Sequence, residues 1–182
     1  MAGAVQFTTS DYTYYHAKAV KGLPFGVEHG TEDITTISTV PIEWGQAVAY
    51  AGGQDATGRP TVKLPTAATD IILGVCLLRH RTPFVNGDPN YFTEAADTLS
   101  TNFPAKYPIP TRKVGKLYVY SETPVDRGAA VHIRFAPGAG ALQLGNFRAT
   151  AVAGETLPFA QAKWFEKTNA AGLAIIDLGI LG

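Results

Sequence analysis

The side chains able to do chemistry are few in this chain and poorly spaced for it. Four histidines stand at positions 16, 29, 80 and 132, and no pair of them has metal-ligand spacing. The densest polar cluster is "EHGTED", which brings Glu28, His29, Glu32 and Asp33 together; a divalent ion could use it, but a solvated turn explains it more simply. Cys76 is the single cysteine, so no disulfide can form within the chain. Its setting in "DIILGVCLLRH" suits a small buried hydrophobe whose thiol is held protonated, not a nucleophile. "RHR" at 79–81, with Arg112 and Lys113, offers positive charge that a polar protein interface explains as well as phosphate contacts would. "VNGDPN" at 85–90 is turn chemistry and no complete calcium loop, and "GAGALQLG" lacks the strand-then-helix setting of a dinucleotide fingerprint. Trp44 and Trp164 could stack on a sugar or base, although large aromatic side chains more often fill cores. No catalytic, cofactor-binding or metal-binding residue is assigned, and no cofactor is expected.

The elements that would have to position such residues are short. Nineteen glycines and twelve prolines in 182 residues leave few windows long enough for a helix. Val131, Ile133 and Phe135 alternate with His132 and Arg134, a period of two that places the apolar set on one face of a strand. "GKLYVYSE" sets Leu117 and Val119 against Tyr118 and Tyr120. "GLAIIDLGIL" is a nearly continuous apolar run, as expected of a strand covered on both faces. "AKWFEKTNAAGLAIIDL" predicts a hairpin turning at Asn169–Gly172, "PTAATD" at 65–70 predicts a turn, and Thr93 caps one short predicted helix near 93–100. The fold class is all-β: a β-sandwich or small β-barrel, with an extended N-terminal arm and one long loop excursion.

Composition narrows the partners. Hydrophobic residues make up 46% and charged residues only 16%, with a formal net charge of zero. This balance exerts no pull toward nucleic acid or anionic membrane and offers little resistance to self-association. "MAGAVQFTTSDY" lacks the pattern of a signal peptide and the apolar runs are too short to span a bilayer, so a soluble protein made in a reducing cytoplasm is expected.

Three stretches stand apart. Residues 1–39 are polar, Thr-rich and aromatic, an arm or an edge hairpin, with Phe7, Tyr12, Tyr14 and Tyr15 as its candidate anchors. Residues 40–182 form the β-rich core, and within it the proline-rich stretch 79–112 interrupts the alternation, with a loop insertion placed at 83–112. The third feature is a repeated phrase. "VPIEWGQAV" recurs 83 positions later in "TPVDRGAAV", matching Pro41 to Pro124, Glu43 to Asp126, Gly45 to Gly128 and Val48 to Val131. Proline and an acid preset a turn, and glycine permits the positive φ that admits the chain to a strand. Leu73-Gly74 and Leu144-Gly145 add an echo. Two accounts stay open: a pair of related β-units at 40–82 and 114–150, or local reuse of turn chemistry.

The phrases "VPIEWGQAV", "VGKLYVYSETPVDRGAAVHIRF" and "LGNFRATAVAGE" resemble those of bacteriophage capsid cement (head decoration) proteins, over about residues 40–182. The resemblance implies a non-enzymatic virion protein on the outer capsid surface. Such a protein binds the major capsid protein, bridges its subunits to stabilise the head, and self-associates as a dimer or trimer. Phe7, Tyr12, Tyr14 and Tyr15 are then capsid-contact candidates, since tyrosine is enriched at interfaces; an ordinary edge strand with alternate tyrosines explains them equally. The rival readings are another phage structural role, in the tail or in head completion, and a carbohydrate-binding or hydrolytic β-domain using Glu43 or Glu166 beside a tryptophan.

Overall fold

The computed structural model describes residues 21–25, 30–78, 102–138, 140 and 142–179. They form strands β1 (Glu32–Ser38), β2 (Ile42–Glu43), β3 (Ala47–Gln54), β4 (Pro60–Lys63), β5 (Ile72–Cys76) and β6 (Asn102–Phe103). The rest are β7 (Pro108–Ser121), β8 (Ala130–Arg134), β9 (Phe147–Arg148), β10 (Thr156–Trp164) and β11 (Gly172–Leu178). Among the described residues there is no helix; the helix predicted near 93–100 lies outside them. The all-β class holds, and of its two forms the chain adopts the closed one.

Closure happens twice. β1, β4, β3, β5 and the first half of β7 pair in that order, and β7 returns to β1. The second half of β7, then β11, β10, β8 and β9, pair in that order, and β9 returns to β7 at Ser121↔Phe147. Two small five-strand barrels therefore share one strand of 14 residues. Gly115, at φ 114°, lies where β7 passes from one barrel to the other, a backbone angle that a side chain would oppose. Beyond this sheet β2 and β6 pair only with each other.

The second barrel repeats the first. Each begins with a strand that pairs in parallel with a later one, β1 with β4 and β7 with β9. Each has a central strand, β3 or β8, hydrogen-bonded on both sides. Each ends with a strand antiparallel to the first, β7 to β1 and β11 to β7. The repeated phrase is the corner into the central strand. The Gly45 N–H donates to the Cys76 carbonyl (2.7 Å) and the Cys76 N–H to the Gln46 carbonyl (2.9 Å). Likewise the Gly128 N–H donates to the Trp164 carbonyl (2.7 Å) and the Trp164 N–H to the Ala129 carbonyl (3.2 Å). Both glycines have positive φ, 72° and 78°. The matching extends upstream of the phrase: the Thr39 N–H donates to Val62 and the Glu122 N–H, 83 positions on, to Phe147, each at 2.8 Å.

Several boundaries move. Residues 32–38, which the sequence assigns to an arm or an edge hairpin, are β1, paired on both sides with β4 and β7. Residues 102–103 and 108–112, placed in the excursion, are strand. The Leu-Gly echo does not survive: Gly74 lies inside β5 against the Arg112 carbonyl, whereas Gly145 occupies a left-handed turn ahead of β9. The hairpin does form, with Trp164↔Ile176 and Ala162↔Leu178 in register.

One face of β7 lines both barrels. Ile109 and Thr111 point into the first, Leu117, Val119 and Ser121 into the second, and all are buried. Val48, Val62, Cys76 and Ile109 pack in the first with Ile42 and Phe103, beside a Thr36–Thr111 hydroxyl pair at 2.9 Å. Leu117, Val119, Ile133, Phe147, Trp164 and Ile176 fill the second. Ala47, Val75 and Leu77 from the first half join this second cluster, so the barrels are packed on each other. Each fully buried aliphatic or aromatic side chain contributes about 1.5–3 kcal/mol.

Candidate docking surface

Residues 21–25 form a strap across the junction of the barrels. The Gly22 N–H donates to the Tyr118 carbonyl (2.7 Å), the Tyr118 N–H to Leu23 (2.9 Å), and the Phe25 N–H to Lys116 (3.0 Å). The Leu78 N–H donates to Gly22 (2.9 Å). Glycine is needed here because the strap crosses the first corner at backbone distance. A Cβ on Gly45 would lie 2.7 Å from the Gly22 nitrogen, and one on Gly22 would lie 2.7 Å from the Leu78 nitrogen. Lys21 Nζ completes the join by donating to Glu43 Oε2 at 2.6 Å.

The corner gathers more than the strap. Glu43 is the register partner of Asn102 in the β2–β6 pair. Lys21, Leu78 and Asn102 are the points where residues 1–20 and 79–101 join the described body, and all three are held against residues 42–46 or their partners. Two stretches that the sequence sets apart, separated along the chain by residues 21–78, thus join the body at neighbouring points. Phe7, Tyr12, Tyr14 and Tyr15 lie outside the described residues.

At the far end of the strap, the Phe25 ring meets Tyr118 edge-on (5.7 Å between centroids) and Phe165 (5.6 Å). Lys116 Nζ stands 4.7 Å above the Phe165 ring and the Arg127 guanidinium 5.6 Å from it. Sequence reasoning passed over this cluster. Its one visible signal was the alternation of Tyr118 and Tyr120 on the outward side of a strand.

The residues weighed for chemistry are occupied structurally. Glu32 and Asp33 pair across strands with Lys113 and Arg112, while Arg79 and Arg81 lie outside the described residues. Glu28, His16, His29 and His80 lie outside the described residues. His132 lies on β8 opposite Arg148 and Pro158. Cys76 is fully buried, and burial pushes its thiol far above the usual range. Trp164 is 1% exposed in the second core and cannot stack on a sugar, while Trp44 packs against the first core. Glu43 holds Lys21. Among the described residues, no three His, Cys, Asp or Glu side chains are grouped to hold a metal.

The described residues form an all-β body whose charged groups hold strands together, and Lys21, Leu78 and Asn102 meet at one corner of it. The chain's family is a specific one. A family model described as structural cement protein (E217 gp24/Pam3 gp6) matches residues 7–179, so the chain belongs to the phage structural cement proteins and is a capsid-associated component of the virion. Among solved structures it is similar to a chain of the capsid of Myoviridae phage XM1, with 15% identity, 90% of this chain and 94% of that chain covered, and a TM-score of 0.56. This likeness concerns the fold. The head fiber gp8.5 N base of bacteriophage phi29 is also similar, at 10% identity, with 81% and 93% covered and a TM-score of 0.39, too low to bear an argument. No curated protein matches.

Proposed function

We propose that this chain is a decoration protein that binds the outer surface of the phage head and stabilises it by bridging neighbouring major capsid protein subunits. The observation that carries this reading is the family match, which spans the body and reaches back to residue 7. The common root of residues 1–20 and 79–101 supports it, because one end of the body can then deliver two long segments to adjoining subunits. Phe7, Tyr12, Tyr14 and Tyr15 are the anchors of the first segment, offering large apolar area with a polar tip. The action is adhesive, with no bond made or broken. Contacts that are weak singly hold because one molecule engages two subunits and the lattice repeats the contact many times.

The test uses heads assembled without the protein. Adding the purified chain back should let it co-sediment with the heads and raise the temperature at which they release DNA. Replacing Phe7, Tyr12, Tyr14 and Tyr15 together by alanine should weaken that binding while the body unfolds as before. Heads that withstand heat equally with and without the chain would remove the stabilising role. Full binding by the fourfold variant would remove the arm as the contact.

A further inference from the structure

Around their corners the two barrels match residue for residue up to one point. Cys76 corresponds to Trp164, 88 positions on, through the two hydrogen bonds that each exchanges with its corner. The next residue keeps that offset: the Leu77 N–H donates to the Pro110 carbonyl as the Phe165 N–H does to Ile175, each at 2.9 Å. Leu78 therefore corresponds to Glu166. On the far side of the excursion the offset is 65. Ile42 pairs with Phe103 as Val125, 83 positions on, pairs with Thr168. Thr36 stands opposite Ile109 as Val119 stands opposite Ala174. Asn102 therefore corresponds to Lys167. It is the register partner of Glu43, and Lys167 Nζ stands 3.3 Å from the carboxylate of Asp126, the counterpart of Glu43. Glu166 and Lys167 are consecutive, whereas Leu78 and Asn102 are separated by the 23 residues 79–101, which is the whole fall in offset from 88 to 65.

We propose that residues 79–101 are an insertion into a barrel that closes without them, and that they serve recognition, not folding. The second barrel makes the same connection with one peptide bond, between Glu166 and Lys167. In the first barrel the residues flanking the insertion are already fixed by the body: Leu77 and Phe103 are buried, and the Leu78 N–H is held by Gly22. A stretch added at a tight connection between settled strands leaves the pairing on either side of it unchanged. The strap is the other addition at this corner, and it too has no counterpart among the described residues of the second, where a Cβ on Gly128 would meet nothing within 4 Å. Both additions thus fall on one corner of a body whose other corner closes with neither. Segments carried by a scaffold that does not need them are where binding is placed. The recognition role rests on the capsid reading; the insertion does not.

Joining Leu78 directly to Asn102 in the otherwise full chain tests it, beside a second variant in which 79–101 are replaced by as many glycine and serine residues. Both should fold, with the far-ultraviolet circular dichroism of a β protein and one urea transition. The midpoint of the direct join should be no lower than that of the native chain, since a shorter loop costs less closure entropy. On heads assembled without the protein, both variants should bind at least about tenfold more weakly than the native chain. A direct join that unfolds overturns the proposal: if the spacer variant folds, the corner needs the added length, and if it also unfolds, 79–101 belong to the body. Folded variants that bind heads as the native chain does overturn the recognition role alone. A native chain that itself ignores heads removes the capsid reading and the recognition role with it, while the urea transitions still decide the insertion.

Discussion

Arg134 shows how a buried charge can close a barrel. Its Nε and Nη2 donate to Glu122 (2.7 and 2.8 Å) and its Nη1 to Glu155 (2.8 Å). The hydrogen bonding of Arg134 to the Glu122 carboxylate is the chief reason that its guanidinium is pushed above the ordinary range. Arg134 and Glu122 are buried in their side chains, whereas that of Glu155 is 46% exposed. Removing one partner of a buried pair strands the other's charge, so Glu122→Gln should lower the unfolding free energy by about 3 kcal/mol in urea titration. Glu155→Gln should cost under about 1 kcal/mol, because water already screens it. Asp70 illustrates the pH side. Burial pushes its pKa up, but the N–H groups of Thr66 and Ala67 and the Lys63 ammonium outweigh it, and the net shift is downward. A folded pKa below the unfolded value of about 3.9 means that the carboxylate stabilises the native state at higher pH and loses that contribution as pH falls through the folded pKa. Asp70→Asn should therefore be destabilising near neutrality, with the gap from the native chain narrowing below about pH 4; urea midpoints across that range measure it.

Among the elements, the two corners make a matched experiment. Gly45 and Gly128 have the same backbone role and nearly the same φ, yet only Gly45 is covered by the strap. A Cβ on Gly128 would meet nothing within 4 Å. Gly128→Ala should thus cost about 1 kcal/mol, the strain of a left-handed alanine. Gly45→Ala should cost about 3 kcal/mol or more, since it also collides with the Gly22 backbone and must lift the strap. Urea midpoints compare the pair, and equal costs would mean that the strap does not press on the corner. Other elements were legible to different degrees. The alternation at 117–120 and 131–135 and the 162–178 hairpin follow from local pattern alone. β1 was left between arm and edge hairpin because its fully buried side chains are Thr36 and Ser38, whose hydroxyls are satisfied by Thr111 and by the Pro104 and Tyr107 carbonyls. The first part of β7 was missed because Pro108 and Pro110 read as breakers, although long-range pairing with β1 holds them extended.

Taken as a whole, the molecule is two barrels that cannot be separated without cutting a strand. β7 supplies a wall to each, and Ala47, Val75 and Leu77 of the first half are buried in the core of the second. Unfolding should accordingly be one cooperative transition, with near- and far-ultraviolet circular dichroism coincident on heating. A fragment ending at residue 114 should fail to fold, because it exposes those three side chains to water. Two separate transitions would contradict the packed arrangement.

The amino-acid sequence by itself determined the all-β character, the strand-entry corners with their obligatory glycines, and the poverty of groups that could do chemistry. These depend on neighbours in the chain: period-two patterning, glycine and proline at turns, and residue type. Only the tertiary structure decided that the two corners are equivalent, that one strand serves both barrels, and that residues 1–20 and 79–101 root together. Those outcomes rest on pairings such as Ile34↔Thr111 and Ser121↔Phe147, between residues far apart along the chain, which local periodicity does not record.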